Sequence, residues 1–572
     1  MKAVHNSRSP VFRSPTGAQP MGESVKLSVA SEKGIRVTLR LWWDDHEILH
    51  PMRESDGLYT YTLKLPEKCG LLWYFFILES DTERLYLGNT RDNLGGAGEL
   101  YAWEPPSFQI TVYDPDYDPP HFLRDGIMYQ IMPDRFCAVD KVPPHDGWLH
   151  ENWNEPPAIA IDPRSGDNRA DDFFGGNIRG ILSKLGYLEQ LGISVLYLNP
   201  IFYSPSNHKY NTGDYSLVDP SFGTNEELET LCKEAAKHGI RILLDGVFSH
   251  TGSDSRYFNR FGKFDSVGAY QSDASPYYDW YTFKGSRDEY DCWWGFDTLP
   301  NVNELSEGFL SYIVTDKDAI APHYIRRGTS GWRLDVADEL PMEFLRLLRR
   351  SVKAADGNAA LIGEVWEDAS NKVAYQELRC YCLGDTLDSV MNYPLRDGII
   401  DFFLYRLDAY TLKRRLDSLY ENYPRPFALS LMNLLGSHDK ARIINRLSGV
   451  EPEEKPRSER RFEPLTREQY ELGKHRFLKA WELVCALPGI PCLYYGDEAG
   501  AQGGDDPFCR GTYPWGREDS SLLESVRRIN LERKNSVPAK YGTLSLTAED
   551  ADTLTVRRTC DGQTFEKRIS RR

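Results

Sequence analysis

GWRLDVADEL, residues 331–340, decides how this chain is read. Taken as a strand, Trp332, Leu334 and Val336 form one apolar face, and Gly331, Arg333, Asp335 and Ala337 form the other. A buried Arg-x-Asp pair costs free energy unless it performs a task. Its polar face therefore points to a site, and its apolar face to a strand covered by helices.

Seven further apolar runs share this texture: 126–132, 194–200, 241–248, 360–367, 388–394, 428–439 and 489–498. Helical patterns lie between them, as in GILSKLGYLEQLG (180–192), NEELETLCKEAAKHG (225–239) and PMEFLRLLRRSVKAA (341–355). Eight strand-helix units predict an α/β fold, a closed (β/α)₈ barrel. The connection after the third strand is oversized. Its aromatic, Gly- and Asp-rich residues 250–330 predict a small inserted domain at about 250–305.

Upstream, alternating runs at 34–43, 59–65, 71–79 and 108–113 predict an N-terminal β-sandwich, closed by the Pro/Asp-rich linker YDPDYDPPHF (113–122). Downstream, a helix at 519–534 precedes a tail with two or three strand-like runs. The expected division is 1–122 sandwich, 123–535 barrel and 536–572 a short β segment.

The 572 residues carry a net charge of −17, which argues against nucleic acid or an anionic membrane as partner. The 33 Tyr, 25 Phe and 13 Trp instead suit stacking on a neutral ring. Ten scattered cysteines form no zinc-like pair, and the N-terminus has no apolar targeting core, so a reduced, cytoplasmic protein is expected.

Active sites of such barrels lie at the C-terminal ends of the strands. Asp245, His250, Arg333, Asp335, Glu364, His438 and Asp439 all fall at those ends. Convergent carboxylates suit glycoside hydrolysis with retention, which needs an ionised nucleophile and a protonated acid. Arg333 beside Asp335 predicts an ionised carboxylate there. Ile362 and Trp366 around Glu364 predict an apolar surround that raises the acid's pKa. Asp439 supplies a third carboxylate.

DGVFSH (245–250), GWRLDVADE (331–339), GEVW (363–366) and LLGSHD (434–439) together resemble the conserved regions of the alpha-amylase family. SNHKYNTGDY (206–215), FFGGNIRGI (173–181), WWGFDTLPNVNEL (293–305) and CLYYGDEAG (492–500) are similar to its neopullulanase, cyclomaltodextrinase and maltogenic amylase branch. The N-terminal region resembles that branch's starch-binding-like module.

The resemblance implies Asp335 as nucleophile, Glu364 as general acid/base and Asp439 as transition-state stabiliser. It implies sugar contacts from Arg333, His250 and His438, ring stacking by Tyr210, support of Arg333 by Asp245, and a leaving-glucan contact at Trp366. Asn303, Asp506 and Arg510 are further substrate-site candidates. The expected substrates are maltooligosaccharides, cyclodextrins, pullulan or starch, hydrolysed with some transfer. The alternatives are a 1,6-cleaving debranching enzyme and a catalytically silent carbohydrate-binding protein. No cofactor is required; Asp140, Asp146, Gly175 and Asn177 could supply some of a calcium ion's oxygens. A homodimer through the N-terminal module is the partner that the branch suggests.

The pattern departs from the family at Ser249 and Asn211, where Asn and Asp are usual, at Asn177, where GGN replaces GGD, and at the C-terminus. The short tail, ending KRISRR, predicts an apolar seam of the barrel left uncovered.

Overall fold

The structure is a computed structural model and describes residues 1–161, 168–450 and 455–572. Eight parallel strands form the central sheet: β1 (Ile127–Ile131), β2 (Ile193–Leu198), β3 (Arg241–Gly246), β4 (Gly331–Leu334), β5 (Ala360–Gly363), β6 (Ser389–Val390), β7 (Met432–Leu434) and β8 (Ile490–Tyr494). β8 pairs with both β1 and β7. The remaining seam, between β6 and β7, is closed by a parallel bridge from Met391 to Met432. The sheet is thus a barrel.

Alternation along these strands separates two cores. Met128, Val195, Tyr197, Leu243, Ile362, Met432, Leu434 and Cys492 fill the interior. Trp332, Leu334, Leu196 and Leu244 face the helical shell, where Met342–Ala355 buries Phe344, Leu345, Leu348 and Val352 against them. The shell helix Asn225–Lys237 starts at a capping box, Thr224 with Glu227, which satisfies two of its free N–H groups.

The strands are shorter than their apolar runs. β4 ends at Leu334 because Val336 takes a left-handed backbone, φ 39°. A β-branched residue is strained there, and the ladder ends with a last bond from the Asp335 N–H to Gly246 O at 3.1 Å. The run 428–439 yields only Met432–Leu434, since Arg425–Ala428 is already helical. Residues 388–394 give two strand residues before the helix Tyr393–Phe403 begins. The single helical pattern at 180–192 splits at Lys184 into Ile178–Ser183 and Leu185–Gln190.

Two sheets, antiparallel except where Gln19–Pro20 runs parallel to Phe108–Tyr113, precede the barrel and enclose a separate core that includes Leu27, Val29, Leu39, Tyr74, Phe76, Phe108 and Ile110. Arg8 and Arg13 anchor this sandwich to the barrel helix Ala409–Asn422 through Glu421, at 2.7 and 3.3 Å. Between β3 and β4 the chain builds an aromatic core in which Tyr257 stacks on Trp280 at 5.0 Å.

The tail forms three antiparallel strands, Thr543–Asp550, Thr553–Cys560 and Gln563–Ser570. Leu546, Leu554, Val556 and Ile569 join the barrel's outer core, and buried Arg558 donates to Gly542 O and Ala486 O at 3.0 and 3.2 Å. This small sheet therefore covers the face that its length suggested would stay bare. Among the described residues, no helix is long and apolar enough to cross a membrane.

Candidate active site

Arg333 is the hub of the barrel mouth. It sits inward on β4 in register with Asp245 of β3 and Ile362 of β5. Its Nη1 donates to Asp245 Oδ1 at 2.9 Å and to Asp335 Oδ1 at 2.7 Å. Its Nη2 lies 2.9 Å from Glu364 Oε2, an ion pair outside hydrogen-bond alignment. One buried guanidinium thus touches three carboxylates from three strands.

Asp245 holds this cation from below. It also accepts from Tyr197 at 2.5 Å and from Tyr210 at 2.9 Å. The Tyr210 hydroxyl takes a bond from Asn199 Nδ2 at 2.9 Å and lies 2.7 Å from His438 Nε2. The Tyr210 and His438 rings stack at 5.2 Å, 8° from parallel. Gln130 Nε2 lies 2.9 Å from His438 Nδ1, which makes that nitrogen the acceptor and leaves Nε2 as donor. Asp439 Oδ2 is 3.2 Å from His438 Nε2, and Asp439 Oδ1 is 3.4 Å from Arg510 Nη2. A continuous polar chain therefore joins Asp439 on the β7 side to Asp335 and Glu364.

Burial raises Asp335 well above the ordinary carboxylate range; Glu364 and Asp245 push the same way, and Arg333 opposes them. Burial also raises Asp245 and Asp439 against the pull of Arg333, with Arg510 the stronger opponent at Asp439. Arg333 pulls Asp335 toward the ionised form, as its position beside that carboxyl leads one to expect, and burial works against it. One cation faces three carboxyls in this dry site, and repulsion from Glu364 and Asp245 adds to the burial that pushes Asp335 upward.

The apolar surround expected at Glu364 is corrected. Its carboxylate accepts from two donors, the Val336 N–H at 2.8 Å and the Trp366 indole at 3.2 Å, and pairs with the Arg333 cation. Trp366 stacks on Tyr393 at 4.0 Å and is covered by Lys440 Nζ at 4.1 Å, yet remains 39% exposed.

Burial lowers His250 to about 4 and His438 well below its ordinary value, Arg510 and Arg333 adding at His438. Both rings are neutral near pH 7. Ser249 Oγ lies 3.0 Å from His250 Nδ1, so the serine at this departure point orients the ring. Asn211 turns away from the cluster, its Oδ1 accepting from Ser204 at 2.6 Å.

Arg510 belongs to the mouth, since its Nε donates to His438 O at 2.9 Å and its Nη1 lies 2.9 Å from Asp506 Oδ1. Among the described residues, Asn303 makes no bond to this cluster, although the residue before it bonds to Ser249 O at 3.1 Å. It is exposed, and the hydrogen bonds formed by its backbone run to Trp280 and Ser306. Sequence reasoning missed Tyr197, Asn199 and Gln130. All three are polar residues inside or just beyond the apolar runs of β1 and β2, the same signal that marked Arg333.

The calcium candidates do not make an oxygen cage. Asn177 caps a helix through Gly180 N at 2.8 Å and donates to Val139 O at 2.6 Å. Asp140 faces Arg179 at 3.8 Å, and Asp146 faces Lys263 at 2.9 Å. These donors are committed elsewhere and do not fit the ion.

Residues 130–536 match the family model for the alpha amylase catalytic domain. The chain is 38% identical to an amylopullulanase of Thermoanaerobacterium saccharolyticum, across 94% of this chain and 45% of that protein. It therefore spans less than half of that relative's length. It is 32% identical to a cyclomaltodextrinase of Geobacillus thermopakistaniensis, across 87% of this chain and 78% of the relative. The solved cyclic alpha-maltosyl-(1→6)-maltose hydrolase of Arthrobacter globiformis superposes with a TM-score of 0.67 at 29% identity, over 79% of this chain and 92% of the other. With the barrel, its polar mouth and a family match across most of its length, this chain belongs to the alpha-amylase family.

Proposed function

We propose that the chain is a retaining α-glucan hydrolase acting on maltooligosaccharides, cyclodextrins, pullulan or starch. The observation that carries this reading is the double contact of Arg333 with Asp335 and Glu364.

In the first step Asp335 attacks the anomeric carbon. The bond to the leaving oxygen breaks as Glu364 gives that oxygen a proton, leaving a glycosyl ester on Asp335. In the second step Glu364 takes a proton from water, whose oxygen attacks the same carbon and releases Asp335. A sugar hydroxyl in place of that water gives transfer. Arg333 touches both carboxyls and holds them at one face of the sugar. Asp439 favours the positive charge that develops on the sugar. Neutral His250 and His438 offer ring nitrogens to sugar hydroxyls, and the Tyr210 ring supplies a stacking face.

The resemblance to proteins named amylopullulanase and cyclic alpha-maltosyl-(1→6)-maltose hydrolase supports a second reading, cleavage of α-1,6 linkages. A pullulan digest beside γ-cyclodextrin and starch separates the two. Panose supports α-1,4 cleavage, maltotriose supports α-1,6 cleavage, and no product from any of the three substrates overturns both.

A cytoplasmic setting belongs to the same reading, supported by ten free thiols. So does a homodimer, for which exposed Ile48, Leu49 and Trp103 on the N-terminal module offer apolar surface. Light scattering at the monomer mass would remove the dimer.

A further inference from the structure

Both faces of the Trp366 indole are occupied. One stacks on the Tyr393 ring, 4.0 Å away and 5° from parallel. The other carries Lys440 Nζ, 4.1 Å from the ring centre. Two groups this close cannot share a face, so the indole is sandwiched. Tyr393 is fully buried, which fixes the floor; the cover is a flexible lysine. What remains of the indole is its edge, where Nε1 donates to Glu364 Oε1 at 3.2 Å.

Lys440 is the unusual member. It is half-buried beside Asp439, and among the described residues its ammonium forms no hydrogen bond and no ion pair. Asp397, Asp439 and Asp505 attract its charge, while burial and Arg396 oppose it. Two of those acids are engaged elsewhere, Asp397 with Arg396 at 2.6 Å and Asp439 with Arg510 at 3.4 Å. Arg396 is itself tied down, since its Nε also donates to Leu435 O at 2.9 Å. The ring steadies the lysine's charge but leaves its three N–H donors open.

Glu364 tells which side of the mouth this is. Its Oε2 is held by the Val336 N–H at 2.8 Å and by Arg333 at 2.9 Å, so Oε1 is the atom left to serve the departing oxygen. That atom lies against the Trp366 edge. A glucan leaving there passes the sandwich and meets an ammonium instead of a bare ring. Sugar hydroxyls accept charge-assisted hydrogen bonds from such a group.

We propose that Lys440 is the specificity-determining residue of the leaving side: its ammonium, seated on the sandwiched indole, donates to hydroxyls of the departing or accepting glucan, while Trp366 holds Glu364 and does not stack on sugar. The assignment rests on the hydrolase reading given above and names the group that favours a sugar acceptor over water.

The experiment follows, in the full-length protein, how the glycosyl enzyme formed from 4-nitrophenyl α-maltoside divides between added maltose and water. Both fates use Glu364 as base, so a change that only disturbs Trp366 or Glu364 slows both and leaves their ratio alone. Lys440→Met keeps a stem over the ring and removes the donors. The ratio of transfer to hydrolysis should fall about 10-fold, the scale of one hydrogen bond to a charged group. Lys440→Arg should restore most of it. Calorimetry with maltohexaose in the Asp335→Asn background should show a similar loss of affinity when Lys440→Met is added. An unchanged or raised ratio overturns the assignment of Lys440 alone, as does an unchanged affinity where the unsubstituted protein forms no transfer product. Failure of the unsubstituted protein to release nitrophenol or to cleave any α-glucan overturns the hydrolase reading and the assignment with it.

Discussion

The backbone N–H of Val336 donates to Glu364 Oε2 at 2.8 Å, so the strained residue after Asp335 is held in place by the side chain on the next strand. The two proposed reacting carboxylates are thereby coupled twice, through Arg333 and through this turn. Glu364→Gln keeps the acceptor for Val336 but removes the transferable proton. Its rate on maltooligosaccharides should fall by about 10²–10⁴, and far less on an activated aryl glucoside, whose leaving oxygen needs little protonation. Steady-state kinetics on both substrates check this, and equal losses would take Glu364 out of the acid role.

Asp335→Asn addresses the other member. An amide cannot form the glycosyl ester, so turnover should drop by at least about 10³-fold. Asparagine still accepts from Arg333 Nη1, and the far-ultraviolet spectrum and melting temperature should stay near those of the parent. Full activity would end the double-displacement scheme.

Asp245 reaches the chemistry only through Arg333, Tyr197 and Tyr210. Its negative charge is one of those that push Asp335 upward. Asp245→Asn removes that push, so Asp335 ionises at lower pH. The acidic limb of the kcat/KM profile should therefore move to lower pH, even as the looser Arg333 reduces the maximum. A profile that keeps its acidic limb would mean that Asp245 acts only as packing.

Much of this architecture was legible in the chain because barrel strands carry their signal locally. Apolar runs marked all eight strands, and polar residues breaking those runs marked the mouth. The failures were nonlocal. Ile362 and Trp366 are the neighbours of Glu364 in sequence, but Arg333 arrives from β4 and Val336 from the turn beyond it. Alternation also carried GWRLDVAD through to Asp338, because nothing in the residue types announces that a valine will adopt φ 39°. The tail was misjudged for a related reason. Its length was visible, whereas the four apolar side chains that seat it on the barrel alternate within short strands and show their purpose only against the helices beneath.

Glu304, a buried carboxyl that feels the charge of Glu339, offers a test of stability instead of rate. It is 8% exposed, and burial, with Glu339 adding to it, pushes its carboxyl from 4.5 up to about 8. Between those values the unfolded chain has lost this proton and the folded chain keeps it. Folding then takes up a proton, so stability falls as pH rises through that window and levels off above it. Glu304→Gln removes the titration while keeping the shape. Its melting temperature should match the parent near pH 4.5 and exceed it by a few degrees above pH 8, reflecting a difference on the order of a few kcal/mol. Melts of both proteins across that range decide the matter. Parallel curves would show that Glu304 is already ionised in the folded state, and a variant less stable at every pH would show that its carboxyl is held by a partner that the amide cannot replace.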